Sequence, residues 1–330
     1  MNKTTDFKRL SEKECARRLL EIKNPVVLMH VRPDGDAVGS AAALASIFDM
    51  LGSPAKILSA DKIPERLKFI LDYTGVRLAD KNEAKALDGV AIDVASPEQL
   101  GELYDAERKP LLMIDHHAVG EQFADAYTVP QASSAAEALF DVIEELIKIK
   151  KITLDEKLSF ALYAAISSDT GRFSYSNTTP KTHRIAARLM ETGIDASEIN
   201  RALFDSKSPE QLRAEGFIAS KLSSLDDGKI TYATLSSAEL SELGIAAENF
   251  ETAIDIIRSV RGAEISVFLR QIDENKYKAS LRSVGQDVAA VAKRFGGGGH
   301  VRAAGCTVAA DSIDLALEAV LKEIKDLNKG

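Results

Sequence analysis

The sequence predicts an α/β protein in two parts: an N-terminal domain with a mostly parallel sheet flanked by helices, and a smaller C-terminal α/β domain with a mixed sheet. Three observations lead there. The chain has 330 residues, more than one compact core ordinarily organises. Short apolar runs alternate with helical patterns through the first half, the signature of buried parallel strands. Near Asn200–Leu225 the pattern changes, and strands joined by a tight turn follow. The expected boundaries are 1–200 for the first domain, 201–225 for a connecting segment and 226–330 for the second.

In the first domain, Pro25–Val31, Ala55–Leu58, Val90–Ile92 and Leu111–Ile114 are apolar on both faces and of strand length. Ser96-Pro97-Glu98-Gln99 marks a helix start, with a capping serine and a proline at the first helical position. Thr179-Pro180 opens a second helix that runs from Lys181 to Thr192 and stops at Gly193. Leu158, Ala161, Leu162, Ala165 and Ile166 recur at helical spacing and deliver Asp169 at a helix end. In the second half, Pro209–Ser224 reads as a helix. Lys229–Leu235, Glu264–Gln271 and Tyr277–Ser283 read as strands, the last two flanking the turn Asp273-Glu274-Asn275-Lys276. Gln286–Phe295 is helical, Gly296–Gly299 is a loop, and Ile313–Leu327 is a closing amphipathic helix.

Composition removes several function classes. No apolar run reaches the roughly 18–20 residues that a membrane helix needs, and Met1–Arg9 lacks the apolar segment of a secretory signal. The two cysteines, Cys15 and Cys306, make neither a disulfide framework nor a thiolate zinc site. These features point to the cytoplasm. A net charge of −8 disfavours a protein that coats long duplex nucleic acid, since such binding neutralises many phosphates. It leaves room for one small anionic ligand.

The acids and histidines fall at telling places. His30, Asp34 and Asp36 follow the first strand, Asp93 ends the strand at Val90–Ile92, and Asp115-His116-His117 ends the strand at Leu111–Ile114. In an open parallel sheet these ends share one crevice, where ligands bind. A lone Asp after a strand is usually a turn or cap residue, and a lone His near a core is usually packed. Here three of the five histidines lie in the marked segments, a fourth, His300, follows a run of glycines, and His183 reads as a surface residue. Carboxylates so gathered repel one another and would take up protons unless a cation relieves them. Mixed imidazole and carboxylate donors suit manganese, iron or zinc better than magnesium. Two such ions roughly 3.5–4 Å apart form a clamp for in-line attack on phosphorus.

Gly296-Gly297-Gly298-Gly299-His300 has a high ordering cost for a simple connector. A helix C-cap is the plain explanation. With His300, Arg302 and Arg282 nearby in sequence or on the preceding strand, backbone N–H groups facing a phosphate become the better one. It is no Walker A loop, because the Lys-Ser/Thr ending is missing.

His30-Val31-Arg32-Pro33-Asp34-Gly35-Asp36, Asp93, Asp115-His116-His117 and Ser168-Asp169-Thr170-Gly171-Arg172-Phe173 resemble the four motifs of DHH phosphoesterases. Gly296–His300 with Ala303-Ala304-Gly305 is similar to the signature of the associated DHHA1 domain. Order and spacing cover nearly the whole chain, and the nearest type is NrnA-like: a manganese-dependent enzyme that degrades RNA of about two to five nucleotides and dephosphorylates pAp. The resemblance implies a DHH catalytic domain and a DHHA1 substrate-binding domain with the active site in the cleft between them. It implies that His30 and Asp34 hold one divalent cation, that Asp36, His116 and Asp169 hold another, and that Asp93 bridges the two. His117 would contact the scissile phosphate, Asp115 would support the ligands from outside, and His300, Gly297, Gly298, Gly299 and Arg282 would grip the far phosphate. Arg302 lies where such proteins vary. The partners implied are short RNA and pAp-like nucleotides, with no membrane and no long duplex, and a monomer or homodimer.

A phosphodiesterase acting on pApA or cyclic dinucleotides is a close alternative that motifs do not separate. A pyrophosphatase lacks this glycine-histidine motif, and a long-strand exonuclease fits poorly with the acidic total. The alternative of another class is a nucleotide sensor without catalysis, whose sign would be a lost motif acid. All the expected acids are present.

Overall fold

The computed structural model describes residues 7–84, 87–250 and 252–327. Of the Met1–Arg9 stretch, residues 1–6 lie outside the described residues. The chain divides into two compact units, Met1–Ser206 and Lys207–Gly330.

Five strands build the first unit's sheet: β1 (Pro25–Leu28), β2 (Lys56–Leu58), β3 (Asp88–Ile92), β4 (Leu112–Asp115) and β5 (Asp125–Thr128). Their order is β2-β1-β3-β4-β5, and every neighbouring pair is parallel. Both faces are buried, which is why the strands read as continuous apolar runs. Val27, Val90, Ile92, Leu112 and Ile114 pack into one core with the helices Glu12–Glu21, Gly35–Met50, Ala135–Lys148 and Glu156–Asp169. Val26, Leu28, Ala91 and Met113 pack on the other side with Val94, Leu100 and Phe123. That second layer consists largely of short turns and loops rather than long helices. The segment opened by Ser96-Pro97 is 3₁₀ (Pro97–Leu103) and kinks at Gly101, and Ser96 makes no side-chain cap. Instead the Gln99 side chain accepts from the Ala95 N–H at 2.6 Å. The start at Thr179 is a full capping box with Thr182, and the helix is Pro180–Met190. Strand β5 escapes the sequence reading because Asp125–Thr128 is short and only half apolar. Main-chain bonds to Lys8 and Leu10 hold it at the edge.

The helices Gly35–Met50 and Glu156–Asp169 are buried on nearly all sides. They meet at Gly39, where an added Cβ would lie 2.7 Å from the Ala161 carbonyl and 2.8 Å from the Ala165 methyl. This contact matters for function, because the first helix carries Asp36 and the second ends at Asp169.

The second unit has six strands: β6 (Ser223–Leu225), β7 (Ile230–Leu235), β8 (Ile265–Asp273), β9 (Lys276–Ser283), β10 (Gly298–His300) and β11 (Ala303–Ala309). Their order is β10-β11-β9-β8-β7-β6, and only β7 and β8 run parallel, so the sheet is mixed as expected. The helices Val288–Arg294 and Ile313–Leu327 cover one face. Pro209–Ser220 and Ala253–Arg258 cover the other.

Two readings need correction. The helix from Pro209 ends at Ser220, not Ser224, because residues 223–225 pair with β7. Gly296–Gly299 is not all loop: Gly298 and Gly299 belong to β10 and pair with Gly305 and Ala304.

Gly39→Val should force the two buried helices apart at a cost of about 1–3 kcal/mol, lowering the thermal midpoint by several degrees. An unaltered midpoint would show that the helices have room there.

Candidate metal centre

Parallel strands end on the same side of a sheet, so residues just past β1, β3 and β4 are brought together by topology alone. Past β1 the chain turns, and Asp34 caps the helix Gly35–Met50 by accepting from the Ala37 N–H at 3.0 Å. Asp36 sits in that helix's first turn and is buried. Past β3, Asp93 adopts a left-handed backbone (φ 57°), a conformation that Asp tolerates better than most residues. Asp115 ends β4, with His116 and His117 next. Asp169 is the last residue of its helix.

The side chains converge. His30 Nε2 lies 3.6 Å from Asp93 Oδ2 and 3.9 Å from Asp34 Oδ1. His116 Nε2 lies 3.5 Å from Asp93 Oδ1, 3.8 Å from Asp36 Oδ2 and 3.9 Å from Asp169 Oδ2. His117 Nδ1 is 2.7 Å from Asp115 Oδ1 and 3.8 Å from Asp93 Oδ1. Three groups have ligand atoms all within 4.8 Å of one another: His30 with Asp34 and Asp93, Asp36 with His116 and Asp169, and Asp93 with His116 and His117. Asp93 therefore takes part in two groups. Its Oδ1 is buried and accepts no hydrogen bond. A buried carboxylate oxygen in that condition is costly. A cation would relieve it, and the oxygen and imidazole donors fit a transition-metal dication.

The electrostatics say the same. Burial lowers the affinity of His30 for its proton, yet Asp34 and Asp93 outweigh it and hold the pKa up at about 11. Burial opposes protonation of His116 too, and Asp93, Asp36 and Asp169 also bring it to about 11. Burial pushes Asp169 up to about 7, with His116 opposing. Burial also raises Asp36 well above the usual carboxylate range, and Asp93 and Asp169 add repulsion. For Asp93 burial acts upward, but the His116 and His30 imidazoles beside it overcome that and hold the carboxyl below its ordinary value. Without a metal, protons on the imidazoles supply the positive charge that the acids need.

Several supporting groups were invisible in the sequence. Asp36 accepts from the Ala135 N–H at 2.6 Å, the Ala136 N–H at 3.3 Å and the Ser40 hydroxyl at 2.8 Å. The first two are N-terminal groups of the helix Ala135–Lys148, where a carboxylate is favoured. The Ala132 carbonyl lies 3.3 Å from His116 Nδ1, which turns Nε2 toward the acids. Asn177 donates to both the Ser133 and Asp169 carbonyls, at 2.9 and 3.1 Å. Residues 132–136 thus brace three site residues at once. Most of these contacts use main-chain atoms, which leave no mark on side-chain identity. The one legible signal is the helix start at Ser134, whose side chain accepts from the Glu137 N–H.

The remaining expected residues lie in the second unit. Arg282 is half-buried on β9, with Nη1 donating to the Leu281 carbonyl at 3.0 Å. Gly297 cannot carry a side chain, because a Cβ would fall 2.3 Å from the Gly305 carbonyl. At Gly299 the backbone is left-handed (φ 136°) and a Cβ would meet the Ala303 carbonyl at 2.5 Å. Gly298 has open space there. His300 is the last residue of β10, in register with Ala303. Arg302 is exposed in the turn that follows, and its carbonyl accepts from the Ser283 N–H at 3.0 Å. His183 is exposed and stacks on Phe173.

Residues 24–166 match the model of the DHH family, N-terminal domain, and residues 227–326 match that of the DHHA1 domain. The bifunctional oligoribonuclease and PAP phosphatase NrnA of Thermus thermophilus is 30% identical over 313 residues, covering 94% of this chain and 92% of that protein. Its namesake in Bacillus subtilis is 28% identical and covers 93% and 97% respectively. Among solved structures, an exopolyphosphatase-related protein from Bacteroides fragilis superposes with a TM-score of 0.86 at 26% identity, over 97% of this chain and 98% of that one. With motif order, sheet topology and relatedness over the whole length in agreement, the chain belongs to the DHH–DHHA1 phosphoesterase family and is a hydrolase acting on phosphate esters.

Proposed function

We propose that the protein hydrolyses short oligoribonucleotides to mononucleotides and removes the 3′-phosphate of pAp, using two divalent cations, manganese foremost. The observation that carries this is Asp93: a buried carboxylate with an unshared oxygen, set between His30 on one side and His116 and His117 on the other. His30 and Asp34 hold one ion and Asp36, His116 and Asp169 the other, with Asp93 shared. Bound there, the ions supply an acidified water and charge stabilisation for the phosphoryl oxygens. Asp115 takes the Nδ1 side of His117 at 2.7 Å, leaving Nε2 to face the substrate. Burial lowers the pKa of His117, but Asp115 and Asp93 raise it on balance, so the ring is suited to hold a phosphate oxygen and give a proton to the leaving oxygen.

The second unit's part is to bind the far end of the substrate. Arg282, His300, Arg302 and the Gly297–Gly299 backbone are the residues for it, with Gly298 offering main chain that no side chain shields. Relatives named for oligoribonuclease and PAP phosphatase activity support these substrates. No helix among the described residues is long and apolar enough to cross a membrane, in keeping with nucleotide turnover in the cytoplasm.

Asp93→Ala is expected to cut manganese-dependent cleavage of a dinucleotide by at least about a hundredfold while circular dichroism stays native. Retained turnover would remove Asp93 from its shared position. Catalytic efficiency should fall steeply as RNA lengthens beyond a few nucleotides, and equal efficiency on dinucleotides and long RNA would contradict the substrate assignment. Metal binding must displace protons, because His30 and His116 titrate at about 11 and are charged in the metal-free site at neutral pH. Affinity should therefore rise with pH. Calorimetry at pH 7.5 in buffers of different ionisation heat should register release of about two protons or more, whereas buffer-independent heats would refute this.

A further inference from the structure

One buried acid of the first unit stands outside the cluster described above. Glu137 is 1% exposed and lies in the first turn of the helix Ala135–Lys148. It comes three residues after Ser134, the spacing of a capping box, in which its side chain would return to the Ser134 N–H. The carboxyl goes elsewhere. Glu137 Oε2 accepts from the Ser133 hydroxyl at 2.6 Å and from the Thr182 hydroxyl at 2.7 Å. The cations of the facing helix Pro180–Met190 pair with other acids, Lys181 with Asp141 and Arg188 with Glu144, and Glu137 makes no salt bridge among the described residues. A buried carboxyl without a counter-ion costs free energy. The helix end does not call for it, because the Ser134 hydroxyl already accepts from the Glu137 N–H at 3.0 Å. A residue that breaks a local rule in this way marks a functional constraint.

The hydrogen bonds show what is constrained. Ser133 is held twice, at its hydroxyl by Glu137 and at its carbonyl by Asn177, which also bonds the Asp169 carbonyl. Ser133 follows Ala132, whose carbonyl faces His116 Nδ1, and precedes Ala135 and Ala136, whose N–H groups donate to Asp36. Thr182 gives its hydroxyl proton to Glu137 and accepts from the Thr179 N–H at 3.1 Å, which ties in the first turn of the helix Pro180–Met190. Asp36, His116 and Asp169 thus share one brace, and Glu137 is at its root. His30 and Asp34 do not share it. Their loop is held by the Ser59 hydroxyl, which donates to the His30 carbonyl at 2.9 Å, and by Asp61, which accepts from the Arg32 N–H at 2.9 Å.

We propose that Glu137 is a positioning residue for one cation only, the one assigned to Asp36, His116 and Asp169, and that it acts by fixing residues 132–136 through Ser133 and Thr182. The inference rests on the proposed function for the ion, and on the hydrogen bonds alone for the placement of the segment.

The test uses the full chain freed of metal with EDTA and titrated with manganese alone by calorimetry. The unaltered protein should take up two ions. Glu137→Ala should weaken one of them about tenfold or more and leave the other nearly as tight. Glu137→Gln keeps an oxygen for the two hydroxyls and should retain more of the affinity. Ser133→Ala removes only one hydroxyl and should weaken the same ion, which covers the case of a Glu137 variant that fails to fold. Val142→Ala, buried on the same helix, gives the effect of lost stability alone: a lower thermal midpoint with both ions retained. Hydrogen exchange in the metal-free protein supplies a reading that needs no ion. The Ala135 and Ala136 amides should exchange about tenfold faster or more in Glu137→Ala, with those in the middle of the helix unaltered. Unaltered exchange at these two amides, or equal weakening of both ions, would overturn the assignment. If the unaltered protein takes up two ions and Glu137→Ala binds both as tightly, the inference falls alone. If the two amides loosen but the unaltered protein takes up fewer than two ions, the two-cation function falls and the fixing of residues 132–136 by Glu137 stands.

Discussion

Mutual repulsion among Asp34, Asp36, Asp93 and Asp169 is the constraint around which the first unit is arranged. Carboxylates this close cannot all remain ionised in a largely buried setting without compensating charge. The protein answers with His30 and His116, whose nitrogens stand 3.5–3.9 Å from the acids. It adds dipoles: Asp36 rests on the first N–H groups of the helix Ala135–Lys148. The acids accordingly behave differently. Asp93 is driven toward the ionised form by two flanking imidazoles, whereas Asp36 and Asp169 are driven toward protonation. In a site that holds protons in this way, positive charge already stands where a dication would supply it.

Holding that arrangement is a task for the sheet and the helices behind it. The ends of β1, β3 and β4 lie on one side because the sheet is parallel, and β1, β3 and β4 are adjacent in it. Asp36 and Asp169 come instead from two helices locked together at Gly39, so the distance between these acids depends on how closely the helices pack. The segment 132–136 joins the two sets: it bonds His116, which follows a strand, and Asp36, which rides on a helix. Asn177 extends the brace to the helix end at Asp169. Asp93, just past β3, takes a left-handed backbone (φ 57°) and stands within 4 Å of His30, His116 and His117.

Much of this was legible in the sequence, and for definite reasons. Val90-Ala91-Ile92-Asp93 and Leu112-Met113-Ile114-Asp115 place an acid directly after a buried strand, and apolar runs are the strongest signal that a parallel strand gives. The helix that ends at Asp169 announces itself by period. What escaped was carried by the backbone or by neighbours. Strand β5 exists because its main chain bonds to residues 8–10 and to β4, not because Asp125–Thr128 favours extension. The segment after Ser96 has a helix start but winds as 3₁₀ turns about Gly101. The glycines at 297 and 299 were weighed for anion contact, yet close packing against residues 303–306 accounts for their lack of side chains. Packing supplies no reason at Gly296 or Gly298; the first has a left-handed backbone (φ 71°), and the second has neither a close neighbour nor a positive φ.

Anomalous diffraction from a manganese-soaked crystal tests the central claim most directly, because it locates ions without reference to activity. The account predicts two peaks on either side of the Asp93 carboxylate, one bounded by His30 and Asp34 and the other by Asp36, His116 and Asp169. Peaks elsewhere, or no peak near Asp93 at full soak, would contradict it.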